Sequence, residues 1–350
     1  MAQPALNGAR AVTDTLGRPI RDLRVSLTDR CNFRCDYCMP AEIFGEHYEF
    51  LHRREILSFE EIERLVRIFV GFGVKKVRLT GGEPLLRKDV PVLVEMLSRI
   101  DGIDDLTLTT NGYLLDRLAA PLAKAGLQRV TVSLDSPDDG IFRQMNGRDY
   151  GVEPVLKGIE SAAAAGLSPI KINCVVIRGV NDHTIVDLAR RFKRSGHILR
   201  FIEYMDVGNR NNWNLSQVVT AREICERIDS EFPLEPLNPN YRGEVANRFA
   251  YADGSGEIGI VASVSQPFCG DCSRARLSTD GRLVTCLFAG GGESLRDLMR
   301  AGCSDAEMER AIGRIWSART DRYSEERSEN TDLDGYARSD RKIEMYQIGG

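Results

Sequence analysis

The chain has 350 residues, of which 42% are hydrophobic and 28% charged, and it carries a net charge of −4. That length suits one large domain with an appendage, and the acidic balance argues against nucleic acid as a main partner. No run approaches the ~18 apolar residues of a membrane span, and the first residues lack the apolar core of a signal peptide, so we expect a cytoplasmic protein without a membrane partner. In that reducing compartment, nine cysteines indicate metal or redox ligands before disulfides.

The first two thirds of the chain alternate short β-rich runs with helical patterns. Residues 1–20 are polar and aperiodic, and we expect a flexible tail there. The predicted strands are 23–28, 75–80, 104–110, 128–134, 170–177 and 198–204. The predicted helices are 59–71, 88–99, 114–125, 151–165 and 183–195. Six such alternations over residues 21–230 predict an α/β fold with a parallel sheet and outer helices, which we interpret as an incomplete (β/α)6 barrel.

One face of these strands is polar. Alternate residues of a strand point to opposite faces, so residues of one parity share a face. The polar parity carries Arg24, Ser26, Thr28, Lys76, Arg78, Thr80, Thr107, Thr109, Thr131, Ser133, Asp135, Lys171 and Asn173. In a barrel the apolar parity packs on helices, so we predict a wet, cationic lumen; a solvent-exposed face is the alternative, but it leaves half a parallel sheet uncovered. In the sixth strand Arg200 and Met205 differ in parity, so both face the lumen only if a bulge or the strand end lies between them.

A C-terminal region, predicted over 231–320, follows the barrel, and we expect it to close the barrel. Its elements are strands at 247–252 and 257–263 and helices at 293–301 and 304–319. A polar tail over 321–350 ends in Gly349-Gly350. A frayed terminus is the usual fate of chain ends. Gly349 and Gly350 have no side chains, however, so this segment is narrow enough to enter a cationic lumen, and we predict that it does.

The first cysteine group, Cys31, Cys35 and Cys38, follows the first strand with the spacing C-x3-C-x2-C. Three thiolates on one loop can hold an iron–sulfur cube by three corners and leave the fourth iron without a protein ligand. Open metal positions are typical of catalytic sites, whereas structural sites are closed. A zinc site or a disulfide with a spare thiol is the alternative; zinc requires a fourth ligand, and His47 and His52 lie across a polar loop.

A second group, C-x2-C-x13-C, consists of Cys269, Cys272 and Cys286. Asp280-Gly281 predicts a hairpin that brings Cys286 back beside Cys272. A second [4Fe–4S] cluster with an open iron is the favoured interpretation; zinc with Cys303 as a fourth ligand is the alternative. Arg274 and Arg276 stand next to the group at strand spacing, and their guanidinium forks suit phosphate oxygens.

The motifs together resemble one family. They are Arg24-x-Ser-x-Thr-Asp-x-Cys31, the loop ending Tyr37-Cys38-Met39-Pro40, Thr80-Gly-Gly-Glu-Pro-Leu-Leu-Arg87, Phe268-Cys-x-x-Cys-x-Arg-x-Arg, Cys286-Leu-Phe and the terminal Gly-Gly. The cysteine loop is similar to that of the radical S-adenosylmethionine (SAM) enzymes, and the whole set resembles the GTP 3′,8-cyclase family of molybdenum cofactor biosynthesis. The match spans residues 22–292 and the last residues.

The resemblance implies a role for each matching residue. The first cysteine group would ligate a [4Fe–4S] cluster that binds SAM, and the second group would ligate a [4Fe–4S] cluster that binds the guanine of GTP. The residues implied around SAM are Tyr37, Gly82, Ser133 and Met205. The residues implied for GTP are Arg24, Arg78, Thr109, Lys171, Arg200, Arg274 and Arg276. Arg274, Arg276, Gly349 and Gly350 are also implied to act in the catalytic steps.

The same resemblance implies the reaction and the partners. A 5′-deoxyadenosyl radical would remove hydrogen from ribose C3′ of GTP, and C3′ would then bond to C8 to give (8S)-3′,8-cyclo-7,8-dihydroguanosine 5′-triphosphate. Implied partners are an electron donor such as flavodoxin or ferredoxin and, by product transfer, cyclic pyranopterin monophosphate synthase; the protein would be a monomer or homodimer. A peptide-modifying radical SAM enzyme would typically need more cysteines after Cys286, and a plain electron carrier would need no cationic cavity.

Overall fold

The computed structural model describes residues 12–329 and 342–349, and within them the strands form one twelve-stranded sheet. The strands are β1 (Asp22–Ser26), β2 (Lys76–Thr80), β3 (Asp105–Thr110), β4 (Arg129–Ser133), β5 (Lys171–Val176), β6 (Ile198–Glu203), β7 (Leu234–Leu237), β8 (Asn247–Tyr251), β9 (Glu257–Val261), β10 (Arg274–Leu277), β11 (Arg282–Val284) and β12 (Glu293–Ser294). Their order is β12-β11-β10-β1-β2-β3-β4-β5-β6-β9-β8-β7. The six strands predicted for the barrel are all present, with ends within two residues of the prediction.

The centre of the sheet is parallel and its margins are antiparallel. Strands β1 to β6 are neighbours in chain order and pair in parallel, and β10 and β9 add a further parallel strand at either side. The pairs β10–β11, β11–β12, β8–β9 and β7–β8 are antiparallel. The sheet does not close on itself, because β12 and β7 stand at opposite edges. An incomplete α/β barrel is therefore confirmed. The C-terminal region was expected to close the barrel, but its strands extend the sheet at both edges and leave it open.

Helices join the parallel strands β1 to β6, and further helices follow β6 in the described residues. They are α1 (Phe59–Gly71), α2 (Val90–Ser98), α3 (Leu115–Lys124), α4 (Asp139–Asn146), α5 (Glu153–Ala164), α6 (Ile185–Phe192), α7 (Ala221–Asp229), α8 (Leu295–Arg300), α9 (Asp305–Ser317), α10 (Tyr323–Glu329) and α11 (Met345–Ile348). Helix α1 begins at the predicted capping box, in which Ser58 Oγ accepts from Glu61 N and Glu61 accepts from Ser58 N. Gly126 and Gly166 follow α3 and α5 with φ of +103° and +83°. Helices commonly end with a residue of positive φ, and glycine adopts that conformation without steric cost.

The apolar parity of the strands packs against the helices in one continuous core. Leu23 and Val25 of β1 and Val77 and Leu79 of β2 are fully buried in that core, together with Leu65 of α1. Burial of side chains of this kind stabilises a fold by roughly 1.5–3 kcal/mol each. The opposite parity is thereby left to face the other side of the sheet.

The N-terminal segment differs from the prediction. Residues 12–20 form a turn in which Thr13 pairs with Pro19, and the side chains of Asp14 and Arg18 are buried. Arg18 Nε donates to Asp14 Oδ2 at 2.6 Å. The expected flexible tail therefore does not include residues 12–20, since a buried ion pair holds them; residues 1–11 lie outside the described part of the chain.

The other end of the chain returns to the sheet. Residues 321–329 are not a tail, because most of them belong to α10. Helix α11 packs near β1, and Thr279 N donates to Gln347 O at 3.0 Å. Gly350 and residues 330–341 lie outside the described residues. No helix of residues 12–329 and 342–349 has the length and apolar character needed to cross a membrane.

Candidate active site

The polar face of the sheet opens on a cavity of about 670 Å³. Residues from both halves of the chain line it: Arg24, Lys76, Arg78, Arg129, Lys171, Arg200, Met205, Tyr241, Arg242, Cys269, Cys272, Arg274, Arg276, Cys286 and Arg319 among them. The cationic lumen predicted from strand parity is thus confirmed. Strand β6 ends at Glu203, so Arg200 and Met205 both reach the lining although their parity differs.

Three arginines stand side by side on adjacent strands. Arg24 is level with Arg78 on one side and with Arg276 on the other. Burial, and then the like charges of Arg276 and Arg78, hold the pKa of Arg24 well below its usual value. Within the described residues, the buried Nε atoms of Arg24 and Arg78 have no hydrogen-bond partner. Buried donors are normally satisfied, so this row is built to receive acceptor atoms from a ligand.

Lys171 and Arg200 continue the positive charge across β5 and β6. Burial first, and then Arg200, Arg129 and Lys76, lower the pKa of Lys171 to about 7. Burial, followed by the charges of Arg78 and Arg129, lowers the pKa of Arg200 to about 9. These shifts arise because like charges share a cavity that excludes much of the water.

Hydrogen bonds between side chains hold two of the cations in place. Arg78 Nη1 donates to Thr109 Oγ1 at 3.0 Å, and Arg200 Nε donates to Asn173 Oδ1 at 2.9 Å. Thr109 is not part of the lining of the cavity. Its contact with Arg78 orients that guanidinium, and this is the role that the geometry supports.

Two other cations of the cavity are neutralised within the protein. Lys76 Nζ lies 3.6 Å from Asp22 Oδ2 and 3.7 Å from Asp105 Oδ2. Arg129 Nε donates to Asp105 Oδ1 at 2.7 Å. The polar-face pattern included Lys76, but neither Lys76 nor Arg129 was predicted as a site residue. Their carboxylate partners distinguish them from Arg24 and Arg78.

The second cysteine group lies at the end of this cavity. The predicted hairpin is confirmed: Gly281 has φ of +80°, and β10 pairs with β11 across the turn. All three thiols line the cavity, whereas Cys303 does not. Burial opposes ionisation of the Cys272 thiol, but the charges of Arg274 and Arg319 outweigh burial and lower the pKa of Cys272 to about 6. Burial raises the pKa of Cys286 to about 11.

The first cysteine group lies on the loop after β1. Phe33 N donates to Cys31 Sγ at 3.4 Å, and Cys38 N donates to Cys35 O at 2.9 Å. Burial raises the pKa of all three thiols, and the negative charge of one thiolate raises the pKa of its neighbours further. The three thiols are therefore close enough to influence one another.

The donor chemistry of both groups fits an iron–sulfur cluster. Each group offers three free, partly buried thiols and no disulfide. Within residues 12–329 and 342–349, no three His, Cys, Asp or Glu side chains form a group that could hold a metal ion. Cluster ligation is thus supported by thiol number and spacing, and not by a preformed ion site.

The Gly-Gly-Glu-Pro segment after β2 supports the loop of the first cysteine group. A Cβ added to Gly82 would stand 2.3 Å from Arg30 O, and Gly82 N donates to Thr28 O at 2.8 Å. The Glu83 carboxylate accepts from Leu85 N, Asn111 N and Thr110 Oγ1. Glu83 is thereby committed to the fold, and Gly82 is required for close backbone packing.

The residues implied around SAM do not all line the large cavity. Met205 does, whereas Tyr37, Gly82 and Ser133 lie outside its lining. Tyr37 OH donates to Asp135 Oδ2 at 2.8 Å, and burial raises the pKa of Asp135 to about 6. Ser133 ends β4 level with Asn173. Asp135 had been placed on the polar face, but its partnership with Tyr37 was not predicted.

The end of the chain reaches the arginine row. Arg276 Nη1 donates to the carbonyl oxygen of Gly349. Lys342 Nζ anchors the returning segment by donating to Asp206 Oδ2 at 2.9 Å and to Tyr323 OH at 2.7 Å. Gly349 is therefore brought to the predicted site; Gly350 lies outside the described residues.

One wall of the cavity comes from a loop that no motif marked. Residues 240–246 contribute Tyr241 and Arg242 to the lining. Arg242 Nε donates to Asp271 Oδ1 at 2.7 Å, and a Cβ on Gly243 would stand 2.5 Å from Asp271 O. The loop therefore contacts the turn that carries Cys269 and Cys272. Its sequence, Tyr-Arg-Gly-Glu, has no periodic pattern from which a place in the cavity wall could have been predicted.

Comparison with known proteins agrees with this site. Residues 25–192 match the family model of the radical SAM superfamily, and residues 197–325 match the model described as Molybdenum Cofactor Synthesis C. The fold and the first cysteine loop therefore define a radical SAM protein. The chain is 52% identical to GTP 3′,8-cyclase of Acidothermus cellulolyticus over 97% of this chain and 99% of the relative. It belongs to the GTP 3′,8-cyclase family.

Other relatives have the same name. GTP 3′,8-cyclase of Xanthomonas campestris pv. campestris is 50% identical over 98% of both chains, and that of Staphylococcus carnosus is 47% identical over 97% of this chain and 99% of the relative. Among solved structures, methylornithine synthase superposes with a TM-score of 0.44 at 16% identity, over 62% of this chain and 63% of that chain. The family assignment is carried by the sequence relatives alone.

Proposed function

We propose that this chain converts GTP into (8S)-3′,8-cyclo-7,8-dihydroguanosine 5′-triphosphate, the first step of molybdenum cofactor biosynthesis. The observation that carries the proposal is one cavity that holds both three cysteine thiols and a row of buried arginines, two of which have an Nε without a hydrogen-bond partner among the described residues. A nucleoside triphosphate supplies both partners at once, because its phosphates suit guanidinium groups and its base can bind an open iron. Membership of the GTP 3′,8-cyclase family supports the same substrate.

The cofactors of this proposal are two [4Fe–4S] clusters and SAM. Cys31, Cys35 and Cys38 would hold the cluster that binds SAM. Cys269, Cys272 and Cys286 would hold the cluster next to the substrate. When bound, the first cluster and SAM would supply a 5′-deoxyadenosyl radical that removes hydrogen from ribose C3′, so that C3′ can bond to C8 of the guanine. The resulting purine radical would take up one electron, from the reductant, and one proton to give the 7,8-dihydro product.

Binding of the triphosphate falls to the cations that form no direct ion pair with another described residue. Arg24, Arg78, Lys171 and Arg200 surround the cavity, whereas Lys76 and Arg129 are paired with Asp22 and Asp105. A triphosphate carries about four negative charges, and each charge-assisted hydrogen bond contributes roughly 1.5–3 kcal/mol. The like-charge repulsion that depresses the pKa of Arg24 is relieved when such an anion binds.

Arg274, Arg276 and the terminal glycines are proposed to act on the reacting end of the substrate. Arg274 and Arg276 lie on one strand parity beside the second cysteine group, and Arg276 holds the Gly349 carbonyl. A backbone without side chains can approach a substrate closely and exclude water from it.

SAM is proposed to bind between the first cysteine loop and the ends of the neighbouring strands. Tyr37 is fixed by its bond to Asp135, Gly82 holds the cysteine loop, and Ser133 stands at the end of β4. Met205 follows β6 and faces the substrate cavity. Binding in this position would keep the SAM ribose near the arginine row.

The remaining predictions follow from this reaction. A radical SAM cycle needs a reductant, which we propose is flavodoxin or ferredoxin, and the product would pass to cyclic pyranopterin monophosphate synthase. We propose a cytoplasmic location and a monomer or homodimer. The division into a barrel over 21–230 and a cluster region over 231–320 stays a prediction, as both contribute strands to the same sheet.

The decisive experiment measures SAM cleavage and product formation after anaerobic reconstitution with iron and sulfide. With GTP, wild-type protein should form 5′-deoxyadenosine and the cyclised nucleotide, and ATP should not replace GTP. Cys35→Ala should abolish SAM cleavage, whereas Cys272→Ala should retain some cleavage but give no cyclised product. Zinc in the second site, or SAM cleavage by wild type without any GTP product, would contradict the proposal.

A further inference from the structure

Arg319 makes an unusual set of contacts to the second cysteine group. It follows α9, and its side chain is 1% exposed. Its Nη1 donates to Cys272 O at 2.7 Å, and its Nη2 donates to Cys272 Sγ at 3.3 Å. The guanidinium stacks on Trp316, with Cζ 4.6 Å from the ring centroid. One planar side chain thus contacts both the backbone and the sulfur of a single cysteine.

Arg18 contacts the other cysteine of the same turn. Its Nη1 donates to Cys269 O at 2.7 Å and to Asp321 O at 2.9 Å. Its Nε donates to Asp14 Oδ2 at 2.6 Å, and Trp316 Nε1 donates to Arg18 O at 2.8 Å. The N-terminal turn is therefore tied directly to the turn that carries Cys269 and Cys272.

Two carboxylates balance the two arginines. Asp14 accepts from Arg18 Nε, and its Oδ2 lies 3.4 Å from Arg319 Nη1. Asp321 Oδ2 accepts from Arg319 Nε at 3.1 Å. Buried charges are tolerated when they are paired and hydrogen-bonded in this way. The two arginines and two carboxylates thus form one paired network next to the Cys269–Cys272 turn.

One N–H donor of this network, on Arg18, has no acceptor within the described residues. Arg18 is 2% exposed and lines the cavity, and its buried Nη2 has no hydrogen-bond partner among the described residues. A buried guanidinium N–H without an acceptor is costly. An iron–sulfur cluster bound at Cys269 and Cys272 would bring sulfur acceptors to this end of the cavity.

We propose that Arg18 and Arg319 form an arginine clamp that holds the Cys269–Cys272 turn in ligating geometry and donates hydrogen bonds to the sulfur atoms of the cluster bound there. The inference rests on the second cluster of the proposed function and adds two positioning residues to it. Neither residue is assigned contact with GTP.

The clamp has a consequence for the redox properties of the cluster. Reduction adds negative charge to the cluster, and N–H donors and positive charge next to the sulfurs stabilise the reduced state. Weakening the clamp should therefore shift the reduction potential to more negative values. A residue that only supported the fold would change stability and leave the potential of a correctly assembled cluster unchanged.

The test isolates the second cluster in the full-length chain. Cys31, Cys35 and Cys38 are replaced by Ala, so that iron content and the electron paramagnetic resonance signal report the second cluster alone. Into this background Arg319→Lys, Arg319→Gln and Arg18→Gln are introduced. Arg314→Gln is the matched control, because Arg314 lies on α9, the helix that precedes Arg319, but pairs with Glu293 at the surface.

Arg319→Lys keeps the positive charge, but an ammonium cannot span Cys272 O, Cys272 Sγ and Asp321 as the guanidinium fork does. We expect it to retain the cluster with an altered signal and a more negative potential. Arg319→Gln and Arg18→Gln should lose about half or more of the bound iron, because the turn is released. Arg314→Gln should match its parent in both measurements.

The outcomes separate the clamp from the proposed function. Wild-type potential and signal in Arg319→Lys would overturn the clamp, whatever the activity of the intact enzyme. Should Arg319→Gln fail to fold, Arg319→Lys and Arg18→Gln decide the question by the same two readouts. Failure of the proposed function would instead appear as the absence of cyclised GTP product in wild-type protein with both clusters loaded.

Discussion

Arg276 donates a hydrogen bond from Nη1 to the carbonyl oxygen of Gly349, 2.5 Å away, and so joins the strand beside the second cysteine group to the end of the chain. The two residues are 73 positions apart. The same arginine stands level with Arg24 in the cationic row. A change in the terminal segment is thereby transmitted to a side chain that we propose contacts GTP.

Gly349→Ala tests this connection. Gly349 has φ of +66°, and an added Cβ would stand 2.1 Å from Thr80 Cγ2. Backbone strain of this kind costs about 1–3 kcal/mol, and the clash adds to it, so the segment should leave Arg276. We expect cyclised product to fall roughly tenfold or more, while iron content and uncoupled SAM cleavage stay near wild type.

Gly71→Ala is the control for that substitution. Gly71 ends α1, has no left-handed φ, and an added Cβ there would meet no atom within 4 Å. Product formation should be unchanged in this variant. Full cyclisation activity in Gly349→Ala would show that the contact with Arg276 has no part in the reaction.

Arg24→Gln should have opposite effects on stability and binding. Burial and the neighbouring Arg276 and Arg78 disfavour the charge of Arg24 in the unliganded protein. Removing that charge should raise the free energy of unfolding by roughly 1 kcal/mol or more. Loss of a charge-assisted contact should weaken GTP binding roughly tenfold or more.

Thermal unfolding with and without GTP measures both effects. Arg222→Gln is the control, because the Arg222 side chain is 82% exposed. It should change neither the free energy of unfolding nor GTP binding by a comparable amount. A loss of stability in unliganded Arg24→Gln would mean that Arg24 supports the fold, and the assignment to the triphosphate would be wrong.

GTP binding should weaken as the pH rises above 7. Burial lowers the pKa of Lys171 to about 7, whereas its usual value is 10.5. The phosphates bind the protonated amine, so above pH 7 binding must take up a proton, and the association constant should fall by up to about tenfold per pH unit. The charge of the terminal phosphate changes little in this range, since its second pKa is about 6.

Calorimetric titrations between pH 7 and pH 9, in buffers of different ionisation enthalpy, measure the proton uptake directly. Lys171→Gln should bind GTP more weakly at pH 7 and show a flatter pH dependence. An association constant that is the same at pH 7 and pH 9 in the wild-type protein would contradict the placement of Lys171 beside the phosphates.

Gly82→Ala should affect the first cysteine group and spare the second. The added Cβ would overlap Arg30 O, which is backbone and cannot rotate away, so residues 28–30 must shift and Cys31 with them. We expect the protein to lose about half of its bound iron, because only the first cluster is affected, and to lose its SAM cleavage activity. In a background lacking the second cysteine group, iron binding should fall steeply; if it stays at the parent level, the close packing does not position the cysteine loop.

The sequence by itself determined the features that depend on local repetition. Period-two alternation predicted the polar face of β1 to β5, and the spacing of Cys31, Cys35 and Cys38 predicted their common loop. Asp280-Gly281 predicted the hairpin before Cys286. Each of these signals is complete within a few residues, because strand geometry and turn chemistry act on neighbours in the chain.

Only the tertiary structure decided which cations of the cavity form ion pairs with carboxylates and what surrounds the second cysteine group. Lys76 and Arg78 share a strand face, but Lys76 forms ion pairs with two carboxylates on the flanking strands, Asp22 on β1 and Asp105 on β3. Asp105 is 29 positions from Lys76 in the chain. Asp14 and Arg319 meet across 305 positions. Such pairings are set by how the sheet brings distant segments together, and no local pattern encodes them, because a charged residue in a loop looks the same in sequence whether it meets water or a partner.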